Sequence, residues 1–159
     1  MGLYVKDLAV QKRFYEDVLN LQSIDESAAP LRFMNADLAG EHHEIVLWED
    51  PALATGGVQQ ISFRCYSLQD VTDYVRVFRE EGVQIERVVT HGVSLSVYFF
   101  DPEGNRLEVY APTGDEAKQP FAWPIDIDAD PDEVMRQHAD ALAKYGKTGT
   151  LGHSPAKED

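Results

Sequence analysis

HGVSLSVYFFDPEGNRLEVY, residues 91 to 110, reads as two apolar strands joined by a tight turn. The turn is Asp101-Pro102-Glu103-Gly104-Asn105, where Pro102 fixes φ and Gly104 supplies a positive φ. A loop of that length sets Phe100 opposite Arg106 and Tyr98 opposite Glu108 on one face of the strand pair. Val97, Phe99, Leu107 and Val109 then point to the other face, as core beneath helices. Glu108 shares its face with Tyr98 and Tyr110 inside an apolar hairpin. A carboxylate there is expensive unless something compensates it. A metal ion, a tyrosine hydroxyl and an arginine are all solutions at this stage.

Outward from the hairpin, the same element order is expected twice. Gly2 to Lys6 predicts a strand, Asp7 a helix cap, and Leu8, Phe14, Tyr15, Val18 and Leu19 the apolar face of the helix. Asn20 is the expected stop. Strands follow around Leu21 to Ile24, at Leu31 to Asn35 after Pro30, and at His42 to Trp48. Pro51 to Gly57 is a linker of small residues, including Ala52, Ala54 and Thr55. Beyond it Val58 to Tyr66 predicts a strand. Ser67 and Asp70 predict a capping box, and Leu68, Val71, Tyr74, Val75 and Phe78 a helix face that ends at Gly82. Strands at Val83 to Val89, Ser94 to Phe100 and Arg106 to Tyr110 complete the set. The period is roughly 55 residues and is architectural, not one of residue identity.

After Pro112 the pattern breaks. Asp126, Asp128 and Asp130 look like a calcium loop, but Pro131 stands where such a loop needs glycine and Gln137 where it needs a bidentate glutamate. Asp130 as N-cap, Pro131 as first residue and Glu133 as capping-box partner predict instead a helix from Pro131 to Tyr145, docked through Val134, Leu142 and Tyr145. From Gly146 onward the composition predicts a flexible tail.

The whole chain has 159 residues, 43% of them hydrophobic and 26% charged, which suits one domain with a real core. A formal net charge of −14 disfavours nucleic acid and anionic membrane surfaces as partners. Cys65 is the single cysteine, so an intrachain disulfide is excluded and a reducing, cytoplasmic setting is expected. Among Phe63, Arg64 and Tyr66, the thiol reads as buried and inert. No basic n-region with an apolar segment follows Met1, and no apolar run approaches membrane-spanning length.

VYFF followed by DPEGNRLEVY, with FYEDVLNL upstream, resembles the vicinal-oxygen-chelate superfamily of glyoxalases, bleomycin- and fosfomycin-resistance proteins and extradiol ring-cleaving dioxygenases. The resemblance covers Met1 to about Thr113. It implies an α+β domain at residues 1–114, built of two βαβββ modules, 1–50 and 57–110, that form an open, cupped eight-stranded sheet. Residues 115–145 are then a C-terminal extension with its helix at 131–145, and 146–159 the tail.

Within the superfamily the chain is most similar to the extradiol dioxygenases. Their His-His pair matches His42-His43 in EHHEIVLW, which makes His43 an acid/base group and leaves His42 solvated. Their histidine before the last hairpin matches His91, their active-site tyrosine Tyr98, and their carboxylate metal ligand Glu108. Trp48, Phe33 and Tyr110 would line the substrate pocket. The implied cofactor is iron(II), with manganese(II) or another divalent metal as the alternative, and the implied partner a small catechol-like aromatic.

Two positions depart from the pattern. Gln60 stands where one histidine ligand belongs, and the other histidine falls ahead of Met1, where this sequence has no residue. Either the native start lies upstream or the site has lost both imidazoles. Glutamine binds through a neutral carbonyl oxygen, and oxygen-rich ligation suits manganese or magnesium better than iron(II).

The expected function is metal-dependent ring cleavage of a catechol-type aromatic by an extradiol-type oxidoreductase, impaired by the missing imidazoles. The alternatives are a metal-poor binding or resistance protein on the same fold, and another metal-dependent lyase or isomerase with Glu44 as an extra carboxylate. A homodimer is expected, because exposed sheet edges need covering. Gln60→His should strengthen iron(II) binding, and a histidine added ahead of Met1 should strengthen it further. Yellow product from simple catechols should then rise, and should vanish on Glu108→Ala. Tight stoichiometric iron in the unmodified chain, measured by metal analysis, would place the ligands elsewhere, with His43 or His91 first.

Overall fold

A computed structural model of the chain describes residues 1–17, 19–25, 29–37, 39–40, 42–52, 56–102 and 104–152. Val18, Ala54, Thr55, Glu103 and residues 153–159, each read above, lie outside them. The chain divides into two compact units, Met1–Ile61 and Ser62–Asp159. The βαβββ order occurs once before and once after the linker, as expected.

The first unit contains β1 (Gly2–Val5), α1 (Leu8–Asp17), β2 (Gln22–Ser23), β3 (Leu31–Asn35), β4 (Ile45–Glu49) and the first residues of β5 (Gly57–Arg64). Its strands run in the order β5-β1-β4-β3-β2. β1 is parallel to β4, and the other pairs are antiparallel. Val5, Met34 and Leu47 form its core, with Leu3, Leu8, Tyr15, Leu21 and Ile45 packed against them. Asp7 caps α1 by accepting from the Val10 amide at 2.9 Å.

The apolar face expected for α1 needs correction, because Phe14 and Leu19 are each 49% exposed. Leu8 and Tyr15 lie seven residues apart and share a face. Phe14 sits about 100° round from Tyr15 at 3.6 residues per turn, and Leu19 falls beyond the last helical residue, Asp17. Asn20 takes a left-handed φ of 57° in the connection to β2.

The second unit holds the remainder of β5, α2 (Leu68–Glu80), β6 (Ile85–Thr90), β7 (Ser94–Phe100), β8 (Arg106–Pro112), β9 (Phe121–Pro124), α3 (Pro131–Tyr145) and β10 (Thr150–Leu151). Strands β6, β7 and β8 form an antiparallel meander. Its register is the one the five-residue turn predicts: Tyr98 opposite Glu108 and Phe100 opposite Arg106. Gly104 has φ 85°, and the Asp101 carboxylate accepts from the Asn105 amide at 2.8 Å. The α2 capping box of Ser67 and Asp70 is complete. Val71, Val75 and Phe78 of α2 are buried against Val97 and Val109, with Phe99 beside them. Tyr74, expected on that face, is 46% exposed.

The C-terminal extension does more than the sequence suggests. β9 pairs antiparallel with β6, and β10 lies parallel to β9 where a flexible tail is expected. Asp130 caps α3 and Pro131 opens it, as read. Its buried stripe is Val134, His138 and Ala141, while Leu142 and Tyr145 are only half-buried. His138 escapes a search for apolar periodicity because it is a polar residue buried with both nitrogens bonded. Leu47 is fully buried in the first unit, so Leu47→Ala should lower unfolding free energy by about 2–5 kcal/mol, read from urea denaturation. A loss under about 1 kcal/mol would contradict that core.

Candidate functional site

The site is built on the β7–β8 hairpin. Alternation puts Ser96, Tyr98 and Phe100 of β7 on one face with Arg106, Glu108 and Tyr110 of β8. Arg87 of β6 lies opposite Tyr98 on its other side. The opposite face is committed to α2, so the polar groups are held by a rigid core.

Glu108 is 6% exposed and Tyr98 4%. The Glu108 carboxylate accepts from the Ser62 hydroxyl at 2.6 Å and lies within hydrogen-bonding reach of the Tyr98 phenol. The guanidinium of Arg106 stands 4.2 Å from the centre of the Tyr98 ring and that of Arg87 4.8 Å, two cation–π contacts that place positive charge near Glu108. Arg106 is held in turn by Glu86 at 2.8 Å. Of the three ways to compensate a buried carboxylate, the tyrosine hydroxyl and the arginines are both present, joined by a serine.

His91 sits 2.8 Å from the Tyr98 hydroxyl through Nε2, and 2.5 Å from the Phe121 carbonyl through Nδ1. A carbonyl oxygen only accepts, so Nδ1 carries the proton. In neutral imidazole Nε2 then accepts, and Tyr98 donates to it. Burial is the main force lowering the His91 pKa, opposed by Glu108 and reinforced by Arg87 and Arg106. Burial, then the Glu108 charge, pushes the Tyr98 phenol well above its ordinary value. His91 is therefore neutral and Tyr98 protonated at neutral pH.

The remaining expected residues lie in the other unit. His43 Nδ1 is 2.9 Å from His42 Nδ1, and His42 Nε2 is 2.8 Å from the Asp25 carboxylate. Both imidazoles pack on Phe33, with ring centres 5.2 and 4.9 Å away. His42 is thus a bonded, mostly buried group and not the solvated one expected. Trp48 is 38% exposed. Gln60 is on β5 opposite Gly2. Glu44 accepts from the Ala36 amide at 2.9 Å, which gives that carboxylate a turn-holding role. Glu108, Tyr98, His91 and Tyr110 come together in the second unit, whereas His43, Phe33, Trp48 and Gln60 belong to the first.

Sequence reasoning missed Ser62, Arg87 and the Phe121 carbonyl. Strand alternation from Gln60 carries a signal for Ser62. Nothing local signals Phe121, thirty residues from its partner His91.

The donor set can be weighed against an iron(II) facial site. Among the described residues no three His, Cys, Asp or Glu side chains group as a metal would require. Both nitrogens of His91 are engaged, and the Glu108 carboxylate already accepts from Ser62. Among the described residues neither unit by itself brings two imidazoles and a carboxylate together into such a group, so neither fits that centre alone. No helix among the described residues is long and apolar enough to cross a membrane.

Residues 1–109 match the family model described as Glyoxalase/Bleomycin resistance protein/Dioxygenase superfamily. Over 114 residues the chain is 31% identical to biphenyl-2,3-diol 1,2-dioxygenase 3 of Rhodococcus globerulus, covering 67% of this chain and 58% of that protein. A Mn(II)-bound glyoxalase from Novosphingobium aromaticivorans superposes with a TM-score of 0.62 at 27% identity, over 76% of this chain and 40% of that one. A variant of homoprotocatechuate 2,3-dioxygenase from B. fuscum gives 0.61 at 26% identity, over 74% and 32%. The chain thus spans little more than half of that curated relative and less of the two structures. The match over residues 1–109, the twice-occurring βαβββ order and the superposed folds together mean that this chain belongs to the glyoxalase/bleomycin resistance/dioxygenase superfamily.

Proposed function

We propose that this chain takes a catechol-type aromatic diol against the Tyr98–Glu108 face and accepts a proton from it, as a protein of extradiol-dioxygenase type. The observation that carries the reading is the bonded series from Glu108 and Tyr98 to His91 and the Phe121 carbonyl. A diol hydroxyl would donate to the Tyr98 oxygen. The Tyr98 proton would pass to His91 Nε2, leaving an imidazolium whose Nδ1–H already meets a carbonyl. Glu108 favours that cation, since its charge opposes the lowering of the His91 pKa. Binding thus delivers a diol anion without exposing charge to water. The similarity to a biphenyl-2,3-diol dioxygenase supports an aromatic diol as the substrate class. Tyr110, on the same face, supplies a further ring for stacking.

Iron(II), and manganese(II) after it, remain the metals to test, but no ring-opening step is drawn through either with this donor set. That donor set favours a second reading, a binding protein that sequesters the diol. Catechol affinity unchanged by iron(II), with no yellow product, would select it. Yellow product formed with iron(II) and lost in Glu108→Ala would select the dioxygenase.

Tyr98→Phe should weaken catechol binding about tenfold, the equivalent of one lost hydrogen bond near 1.4 kcal/mol. The transfer is internal and exchanges no proton with the buffer, so the bound diol anion should be read by its ultraviolet difference spectrum, which Tyr98→Phe should abolish. Unchanged affinity and an unchanged anion spectrum would remove Tyr98 from the site.

A pH dependence follows from the lowered His91 value. The unfolded chain binds a proton on this imidazole below about pH 6.5, while the folded chain, facing Arg87 and Arg106 as well as Glu108, resists doing so. The stability tied to His91 is therefore present above that pH and lost as pH falls from it toward the folded value. The difference in unfolding free energy between the unaltered chain and His91→Gln should shrink over that window. A difference that grows on acidification would reverse the assignment.

A further inference from the structure

Gln119 lies in the connection between β8 and β9, which shows no apolar periodicity, and it is only 4% exposed. A buried amide is costly unless both of its ends are bonded. Gln119 Nε2 donates to the His91 carbonyl at 2.8 Å and more weakly to the Ala117 carbonyl at 3.4 Å. Its Oε1 accepts from the Phe121 amide at 2.9 Å. Two carbonyls on one side and an N–H on the other fix which end of the amide is which.

These bonds close a ring. Gln119 ties the backbone of His91 to that of Phe121, and the Phe121 carbonyl takes the Nδ1 proton of the same His91. The flanking residues are anchored too. Thr90 Oγ1 is 2.8 Å from His138 of α3 and accepts from the Gly92 amide at 3.0 Å. The Gly92 carbonyl accepts from Thr113 at 2.6 Å. Gly92 has φ 75°, and a Cβ there would fall 2.3 Å from that of Ala117.

A carbonyl at Nδ1 leaves Nε2 as the basic nitrogen, and Nε2 is the one facing Tyr98. Whatever positions the Phe121 carbonyl therefore decides which nitrogen of His91 is basic and where it aims. We infer that Gln119 is a positioning residue that sets the tautomer and direction of His91, and that the C-terminal extension serves the candidate site through it. The role in turnover rests on the reading of His91 as the proton acceptor for a bound diol. The tautomer itself does not depend on that reading.

Nitrogen-15 spectra of the histidine-labelled 159-residue chain at alkaline pH report the tautomer without metal or ligand. The unaltered chain should show His91 as the Nδ1–H form. Gln119→Leu fills the same space without either bond and should shift His91 to a mixture containing the Nε2–H form. Gln119→Glu keeps an acceptor for the Phe121 amide but loses the donor to the His91 carbonyl, and should give an intermediate mixture. It also serves as the reading if Gln119→Leu does not fold. Thr113→Val removes a neighbouring anchor and should leave the tautomer unchanged, even where it lowers the melting temperature. Catechol binding should weaken tenfold or more in Gln119→Leu and remain near the original value in Thr113→Val.

A His91 signal that stays fully Nδ1–H in the folded Gln119 variants overturns the inference. An equal shift in Thr113→Val does so as well, since it would mean that Gln119 merely contributes to stability. A chain with the expected tautomer shifts but no catechol binding in any form would sink the diol reading alone.

Discussion

Glu108 carries a carboxylate into the middle of an apolar hairpin, and much of the second unit is arranged around its presence. Transfer of such a group from water without partners costs several kcal/mol. The compensation comes from the Ser62 hydroxyl of β5 and the two guanidiniums over the Tyr98 ring, with the Tyr98 phenol of β7 within reach. Each depends on register. A one-residue slip between β7 and β8 would turn Glu108 toward Val71 and Phe78 and turn Val109 outward. The turn at Asp101–Asn105 forbids that slip, because its Asp101 side chain and the positive φ of Gly104 fit one loop length. Local turn chemistry thus fixes a long-range electrostatic arrangement.

That dependence also explains what could be read from the sequence. The hairpin register, the opposition of Tyr98 and Glu108, the α2 capping box and the start of α3 are each encoded within a few residues. Strand alternation and cap chemistry act at that range. The apolar face of α1 was less legible, since Phe14 is as hydrophobic as Tyr15 and only the geometry of the turn separates them. His42 and His43 were visible as a pair, but their bonds to each other and to Asp25 depend on a partner seventeen residues away. The extension was the least legible part. β9 and β10 are short, and the buried polar groups Gln119 and His138 look from composition like surface residues. Their burial is meaningful only once their partners are known, and those lie 28 and 48 residues distant in sequence.

The family match ends at residue 109, yet the carbonyl that orients His91 belongs to Phe121. The family model therefore covers the hairpin and its carboxylate, while the group that fixes the histidine lies after the residues that model matches. Fold alone is a weak guide to chemistry for this reason.

The arrangement has two ways to place its protons, and the difference between them bears on function. With His91 neutral, the phenol hydrogen points to Nε2 and the Ser62 hydroxyl donates to Glu108. With His91 protonated, Nε2–H must donate to the phenol oxygen, because that oxygen is its neighbour at 2.8 Å. The phenol hydrogen is then displaced toward Glu108. Taking up one proton at the histidine therefore turns one hydroxyl and strengthens the hydrogen bonding of one buried carboxylate, with no movement of the backbone. The neutral state leaves a basic nitrogen behind a phenol. The protonated state leaves a cation and an anion separated by that same phenol, each satisfied, in a region the α2 side of the sheet keeps rigid. A site that handles protons needs both states to be close in energy. Burial lowers the His91 pKa and Glu108 opposes that lowering, so the two effects act in opposite directions on the same imidazole.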